Sequence, residues 1–209
     1  GDIARIKRGK GAVEEALAMH EEAMRLYEAL GDVRSKAVTL RDIARIKVNQ
    51  GAVEEALELQ QENFQILQEL GDKREQAITL GDIANIRMQQ GQVDKAVELH
   101  EQELEIYEQL GDLDSKATTL WDLAQIHLQR KEMQAAFEKL AESYKINLKI
   151  GRLEGICVVG KYLGQFLVMS GNKEVGLKVL QRSRDGYQQL GRQQEAAEVE
   201  EIIAEAKKQ

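Results

Sequence analysis

The sequence predicts an all-α fold, a right-handed α-solenoid of antiparallel helix pairs, and three observations predict it. The 209 residues repeat with a period of 40, each repeat holds two amphipathic helical patterns, and no proline interrupts them. Because one helix pair cannot cover its own apolar side, successive pairs must stack to bury it. The short connections between helices force neighbouring helices to run antiparallel.

The 40-residue repeat is visible in five aligned segments, of which the first three are close and the last two drift. The segments are GDIARIKRGKGAVEEALAMH from residue 1, RDIARIKVNQGAVEEALELQ from 41, GDIANIRMQQGQVDKAVELH from 81, WDLAQIHLQRKEMQAAFEKL from 121 and KYLGQFLVMSGNKEVGLKVL from 161. We expect a single array of repeats with a C-terminal capping helix, with bounds of about 1–31, 32–71, 72–111, 112–151, 152–191 and 192–209.

Residues 72 to 110 show how each repeat divides into two helices. Asp72 with Glu75 three residues later resembles a capping box at a helix start. The first helix carries an inward stripe of residues at helical spacing: Ala77, Leu80, Ile83, Ala84 and Arg87. The second helix carries another such stripe: Val93, Ala96, Val97, His100, Leu104, Tyr107 and Leu110.

Glycines recur in phase at the predicted ends of both helices, where a chain reversal needs a left-handed backbone. Those at repeat ends are Gly31, Gly71, Gly111, Gly151 and Gly191, and those between paired helices are Gly11, Gly51, Gly91 and Gly171. Lys131 replaces the inter-helix glycine once. The sequence therefore predicts turns at all these positions. A phosphate-binding loop at Gly9-Lys10-Gly11 is disfavoured, because no strand precedes it and the spacing is wrong.

The repeat resembles the tetratricopeptide repeat over essentially the whole chain. Leu40, Ile43, Ala44 and Lys47 match the family's first-helix positions, Gly51 its inter-helix glycine, and Ala56 and Gln60 its second-helix positions, while Leu163-Gly164 matches its Leu-Gly pair most closely. The usual repeat has 34 residues and a terminal proline. This one is similar to the longer repeats of Pins-type polarity adaptors and bacterial signalling-ATPase sensor regions, which end in Leu-Gly-Asp as Leu70-Gly71-Asp72 does.

Both ends suggest a C-terminal fragment of a longer protein. Gly1-Asp2-Ile3 aligns with Gly81-Asp82-Ile83 in the middle of a first helix. The last segment reads as a capping helix with an inward face of Ala196, Ala197, Val199, Ile203 and Ala206. Its final Lys207-Lys208 suits the negative end of a helix dipole.

The resemblance implies that the first helices line a concave groove, which three positions of each repeat face. These positions hold Gly1, Arg41, Gly81, Trp121 and Lys161, then Arg5, Arg45, Asn85, Gln125 and Gln165, then Arg8, Val48, Met88, Leu128 and Val168. The side chains change type from repeat to repeat while the packing stripe persists. We therefore expect a partner-binding site at Arg5, Arg8, Arg41, Arg45, Asn85, Met88, Trp121, Gln125, Leu128 and Lys161.

Basic residues cluster at the N-terminal end of this groove although the chain as a whole carries a net charge of -7. Arginine holds a carboxylate bidentately, and Asn or Gln can bond a peptide backbone, so an acidic partner peptide is expected. Trp121 would be its apolar anchor. The alternative is that Arg41 and Arg45 pair with acidic residues of the array such as Asp2, Asp42 and Asp82, and that Trp121 only covers a seam between repeats.

Catalytic and metal chemistry find little support. His20 and His100 are equivalent packing positions two repeats apart, and no Cys/His cluster has zinc spacing. The acidic side chains of the second helices are expected to form a solvated outer surface: Glu14, Glu15, Glu54, Glu55, Glu101, Glu103 and Glu105. Cys157 lies in an apolar stretch and should be a buried small hydrophobe. The sequence predicts no enzyme, no metal and no cofactor.

Composition narrows the function classes further. The pI of about 5.2 disfavours general nucleic-acid binding, and no apolar run is long enough to span a bilayer. The single cysteine and the lack of a visible signal peptide favour a cytoplasmic protein. The leading hypothesis is a peptide-binding scaffold. Two alternatives are a regulatory or sensor domain of a larger signalling protein and end-to-end self-assembly through apolar surface at Ile3 and Ile6.

Overall fold

The prediction of an all-α fold built from helix pairs is confirmed. A computed structural model describes the backbone of residues 2–208 and the side chains of residues 12–208. Within that range the chain forms ten α-helices and no strand. The helices are α1 Asp2–Leu30, α2 Val33–Asn49, α3 Val53–Glu69, α4 Lys73–Gln89, α5 Val93–Leu110, α6 Leu113–Gln129, α7 Met133–Ile150, α8 Leu153–Met169, α9 Lys173–Gln189 and α10 Gln193–Lys208.

The chain divides into two compact units, Gly1–Ile106 and Tyr107–Gln209, called here the N-terminal half and the C-terminal half. In the N-terminal half each of α1, α2 and α3 packs on the helix that follows it. In the C-terminal half the same holds from α6 through α10. Packing between sequential helices is what short connections dictate. The first helices of successive repeats are α2, α4, α6 and α8, and the second helices are α3, α5, α7 and α9.

Aspartates begin the first helices of three repeats, as the motif at Asp72 predicts. The carboxylates of Asp32, Asp72 and Asp112 accept hydrogen bonds from backbone N–H groups three residues later, at 3.1, 3.3 and 3.2 Å. Each satisfies one of the N–H groups that a helix start leaves unpaired, an interaction of about 1 kcal/mol. The boundaries between repeats are therefore encoded locally.

The predicted left-handed turns are present at all but one of the nine glycines and at Lys131. The backbone φ angles lie between +66° and +89° at Gly31, Gly51, Gly71, Gly91, Gly111, Gly151, Gly171 and Gly191, and φ is +60° at Lys131. Gly11 is the exception, because α1 runs unbroken from Asp2 to Leu30.

The buried side chains follow the predicted stripes in their central turns, whereas Leu110 at the end of the second stripe is 44% exposed and that part of the prediction is wrong. Ala77, Leu80, Ile83 and Ala84 are all 7% exposed or less. In α10 the predicted inward residues are buried except Ala197, which is exposed, so its place in the inward face was predicted wrongly. Cys157 is fully buried, as expected, and burial raises the pKa of its thiol to about 11.

Candidate partner-binding groove

The first helices present one row of accessible side chains directly beside a row of buried ones. Ala44, Ala84 and Ala124 are completely buried, whereas the next residues, Arg45 and Asn85, are exposed. Gln125, the third member of that row, is half-buried. The backbone therefore aims these positions away from the core, which lets their side chains vary without loss of packing.

In the N-terminal half the predicted basic cluster is partly engaged within the protein. The guanidinium of Arg41 forms an ion pair with Glu75, and both side chains are mostly buried. Arg45 and Arg41 also lie close enough to Asp82 to lower the pKa of its carboxyl. Burial outweighs them and leaves the pKa of Asp82 above its usual value. Arg45 is therefore the more available arginine, while the side chains of Arg5 and Arg8 lie outside the described residues.

Below this row a polar network replaces part of the apolar core. Gln60 donates through its Nε2 to the Asp82 carboxylate at 3.2 Å. His100 Nδ1 and Glu103 Oε2 lie 2.8 Å apart, and both residues are buried. The prediction that Glu103 belongs to a solvated surface is therefore wrong. A side-chain carbon on Gly81 would come within 2.9 Å of the Glu103 carboxylate, so the missing side chain leaves the space that Glu103 occupies.

In the C-terminal half the predicted groove residues surround an aromatic pair. Trp121 of α6 and Tyr162 of α8 meet edge to face with ring centroids 5.0 Å apart. The ammonium of Lys161 is bound to Glu198 at 2.7 Å. The amide nitrogen of Gln125 is buried and makes no hydrogen bond among the described residues. Lys161 thus resembles Arg41 in having a partner within the chain, whereas Trp121 lines a surface cleft.

Two depressions flank the aromatic pair. A cleft of about 170 Å³ lies toward the start of α8 and is lined by Trp121, Arg152 and Glu154 among others. A larger pocket of about 430 Å³ lies toward the end of α8, between Leu128, Tyr162 and Met169. The sequence interpretation placed Trp121 and Leu128 in the groove but missed Tyr162, Phe166 and Met169. Comparison of equivalent positions between repeats would have found Tyr162 and Met169, which replace polar residues, but not Phe166, whose equivalents Ile46, Ile86 and Ile126 are also apolar.

The remaining polar groups show no arrangement for metal binding in the part of the chain with described side chains. No group of three or more His, Cys, Asp or Glu side chains is placed there to hold a metal ion. His100 pairs with Glu103, and His127 lies 2.6 Å from Glu132. Among the described helices, none combines the length and the apolar character needed to cross a bilayer.

Three solved structures illustrate the similarity of the fold. A variant of the TPR-like repeats of a putative kinesin light chain from Podosopora anserina shares 23% identity with a TM-score of 0.67, covering 91% of this chain and 94% of its own. RapI has a TM-score of 0.80 at 13% identity, over 94% of this chain and 58% of its own. A Rap protein complexed with Competence and Sporulation Factor has a TM-score of 0.62 at 13% identity, over 94% and 59%.

Sequence comparison identifies the family directly. Comparison with curated proteins yields no significant match. Two models of the tetratricopeptide repeat do match, one over residues 35–109 and 75–149 and the other over residues 1–30. These matches cover more than half of the chain and agree with the helix pairs described above. The chain belongs to the tetratricopeptide repeat family.

Proposed function

We propose that this chain is a non-catalytic scaffold that holds a segment of a partner protein along the groove of its first helices. Tetratricopeptide repeats are protein-interaction modules as a family. A Rap protein of the same fold has been crystallised in complex with Competence and Sporulation Factor. Because the identity to that protein is 13%, it supports the class of function and not the partner.

The observation that carries the proposal is the contrast between neighbouring positions on the first helices. Ala44, Ala84 and Ala124 are identical and buried, while the adjacent row holds Arg45, Asn85 and Gln125. Folding requires the first row and leaves the second free to vary. Variable, accessible donors beside a rigid backbone are suited to recognising a peptide chain.

The partner segment we propose for the N-terminal half is acidic. Arg45 is exposed and its guanidinium can bind a carboxylate in a bidentate arrangement. Asn85 is one repeat further on and equally exposed. Arg41 contributes positive charge, although its ion pair with Glu75 makes it a supporting residue instead of the primary contact.

A peptide library tests this proposal even though the partner has not been identified. Random dodecamers displayed on phage would be selected against the intact chain, and the enriched peptides measured on the double variant Arg45→Glu/Asn85→Glu. We expect enriched peptides to be acidic and to lose about tenfold or more in affinity, since charge reversal opposes a carboxylate. Lys145→Glu, an exposed charge reversal on the second helix α7, is the control.

Two outcomes of that selection would refute the groove proposal. One is an absence of enriched peptides. The other is enrichment of peptides that bind the groove variant and the Lys145→Glu control equally well, with helicity unchanged in both.

A second candidate function is a regulatory repeat domain within a larger signalling protein. It is favoured by RapI and the Rap complex, which match this chain over only 58% and 59% of their own length. The test is to express the repeats together with the coding sequence that flanks them in the gene. Any enzymatic activity of that longer protein would then be measured with and without the enriched peptides. An attached activity that ignores the peptides would argue against regulation.

A further inference from the structure

An apolar pocket lies between the fourth and fifth repeats. It has a volume of about 430 Å³ and is walled by α6, α7 and α8. Seven residues line it: Leu128, Met133, Tyr162, Gln165, Phe166, Met169 and Ser170. None of them is charged, although 31% of the chain consists of charged residues.

The 40-residue period shows that the fold does not require this apolar character. Tyr162 stands where Asp42, Asp82 and Asp122 stand in the preceding repeats. Met169 likewise stands where those repeats have Asn49, Gln89 and Gln129. Helices of the same length form with the polar residues in place. The helix therefore forms without the exchange, although Tyr162 does pack on Trp121 of the preceding repeat.

The side chains around the pocket are unusually accessible for their type. Met169 is 86% exposed, Met133 is 48% exposed and Tyr162 is 37% exposed. Two aromatic contacts hold the walls, one between Trp121 and Tyr162 and one between Phe137 and Phe166, each with ring centroids 5.0 Å apart. Rigid aromatic walls with unbranched methionines at the rim combine a fixed shape with an adaptable surface, as in other apolar recognition sites.

Building on the proposed function, we infer that this pocket receives a large apolar side chain (leucine, methionine or phenylalanine) of the bound partner peptide. The uncharged lining excludes a buried carboxylate or ammonium, since nothing in the pocket would neutralise it. Its volume falls within the roughly 300–1,000 Å³ of ligand pockets and exceeds what a methyl group fills.

A peptide is the occupant that this geometry fits best. A stable dimer interface takes roughly 20–30 residues from each side, whereas seven residues line this concavity. Seven residues around one cavity correspond to the central anchor of a peptide complex, where a few buried contacts supply most of the affinity. Leu128 and Gln165 belong to the groove-facing positions, so the pocket opens directly onto the proposed binding surface.

The inference assigns different roles to the two halves of the molecule. Within the C-terminal half the pocket beside Met169 selects an apolar residue, and the acidic preference proposed for Arg45 and Asn85 is a separate property of the N-terminal half. Trp121, the anchor expected from the sequence, acts here as a wall that positions Tyr162 and is not itself the receiving surface.

The test uses the intact chain and two variants that restore the residues of the preceding repeat. These are the single variant Met169→Gln and the double variant Tyr162→Asp/Met169→Gln, which copy Gln129 and Asp122. The control is Val175→Gln, an exposed apolar residue on α9 that is 52% exposed and outside the pocket. Circular dichroism should show the same helicity in all three, and Met169→Gln keeps the test valid should the double variant unfold.

Peptides enriched from the random dodecamer library supply the probe. We expect a large apolar residue at one fixed position, and a loss in affinity of about tenfold or more when that residue becomes alanine or when the double variant is used. Methionine methyl resonances give an independent readout, because the chain has five methionines, of which Met133 and Met169 border the pocket. Their signals should shift on binding, while those of Met19 and Met24 stay in place.

Three results would overturn the inference. Enriched peptides could bind the double variant as well as the intact chain while Arg45→Glu/Asn85→Glu weakens them, which leaves the groove function intact and removes the pocket from it. Peptide binding could shift the methyl resonance of Met88 and leave those of Met133 and Met169 unchanged. Sedimentation could show that the intact chain self-associates and that the double variant is a monomer, which would make a second copy the occupant. A library that enriches nothing refutes the groove function itself.

Discussion

The same repeat position is polar in the N-terminal half and apolar in the C-terminal half, although the helices around it have nearly the same lengths. Gln60 and His100 occupy this position in the second helices α3 and α5, and Leu140 and Leu180 occupy it in α7 and α9. All four side chains are 2% exposed or less. The helix pair therefore requires a buried side chain at this position, and that side chain can be either polar or apolar.

Buried side-chain amides are incompletely satisfied in both halves, since Gln125 Nε2 and Asn147 Oδ1 of the C-terminal half also make no hydrogen bond among the described residues. In the N-terminal half Asn63 donates to Thr79 at 3.2 Å, yet the side-chain oxygens of Asn63 and Gln60 are buried and make no hydrogen bond among the described residues. In the C-terminal half Ser143 and Ser183 donate to backbone carbonyls at 2.7 and 2.5 Å. A short hydroxyl finds a backbone acceptor easily, whereas a long amide needs two partners.

Exchanging the polar and apolar residues at the shared buried position tests how the two halves differ there, and it carries the largest expected effect on stability. Leu180→Gln should lower the free energy of unfolding by about 3 kcal/mol or more, because it removes a fully buried side chain and inserts an amide into an apolar cluster. Gln60→Leu should change it by no more than about 1 kcal/mol, since one 3.2 Å hydrogen bond to Asp82 is lost and an unpaired oxygen is removed. Urea denaturation followed by circular dichroism measures both.

The reciprocal pair also contains its own control. Leu180→Met keeps the volume and the apolar character, so its cost should stay below about 1.5 kcal/mol. Equal losses for Leu180→Gln and Gln60→Leu would show that the two halves tolerate polarity alike, and the comparison would fail.

Glycine replacements probe how closely the helices approach in each half. A side-chain carbon on Gly176 of α9 would lie 2.7 Å from the Gly164 carbonyl oxygen and 2.9 Å from the Val168 backbone nitrogen of α8. Backbone atoms cannot yield locally, so Gly176→Ala should cost about 2 kcal/mol despite the better helix propensity of alanine. On Gly81 of α4 the nearest atom would be the end of the flexible Glu103 side chain.

We therefore expect the free energy of unfolding of Gly81→Ala to stay within about 1 kcal/mol of that of the parent, because the Glu103 carboxylate can shift and alanine favours the helix. The midpoint of thermal unfolding should fall for Gly176→Ala and stay nearly constant for Gly81→Ala. A larger loss for Gly81→Ala would mean that the polar network of the N-terminal half is the more tightly packed one.

Periodicity predicted the fold because burial, capping and turn chemistry all recur every 40 residues. It predicted Asp72 as a helix cap and Lys131 as a left-handed turn residue, since both depend on neighbours in sequence. It failed at Gly11, where α1 continues as one helix through the predicted turn position. It also failed at Glu103, whose burial requires the missing side chain of Gly81 on another helix.

The groove was harder to predict than the fold for the same reason. The ion pair of Arg41 with Glu75 and that of Lys161 with Glu198 join residues 34 and 37 positions apart. Such contacts depend on how two helices are rotated, which composition does not reveal. The apolar pocket was predictable in principle, because Tyr162 and Met169 break the polar pattern of the earlier repeats. Finding it required aligning the positions next to the predicted groove residues as well as the groove residues themselves.

Lys131 offers the smallest and most local difference between the halves. It is the one residue other than glycine with a positive φ, +60°, among the described residues, whereas the equivalent turns of the N-terminal half use Gly51 and Gly91. A side chain in this conformation costs roughly 1 kcal/mol relative to glycine, partly offset by the greater freedom of glycine in the unfolded chain. Lys131→Gly should therefore stabilise the protein by about 0.5 kcal/mol in urea denaturation, and Gly91→Lys should destabilise it by a similar or larger amount.

Lys131→Ala is the control for loss of charge and should not stabilise, because alanine retains the strained backbone. Stabilisation by alanine equal to that by glycine would mean that the charge, and not the turn, makes Lys131 unfavourable.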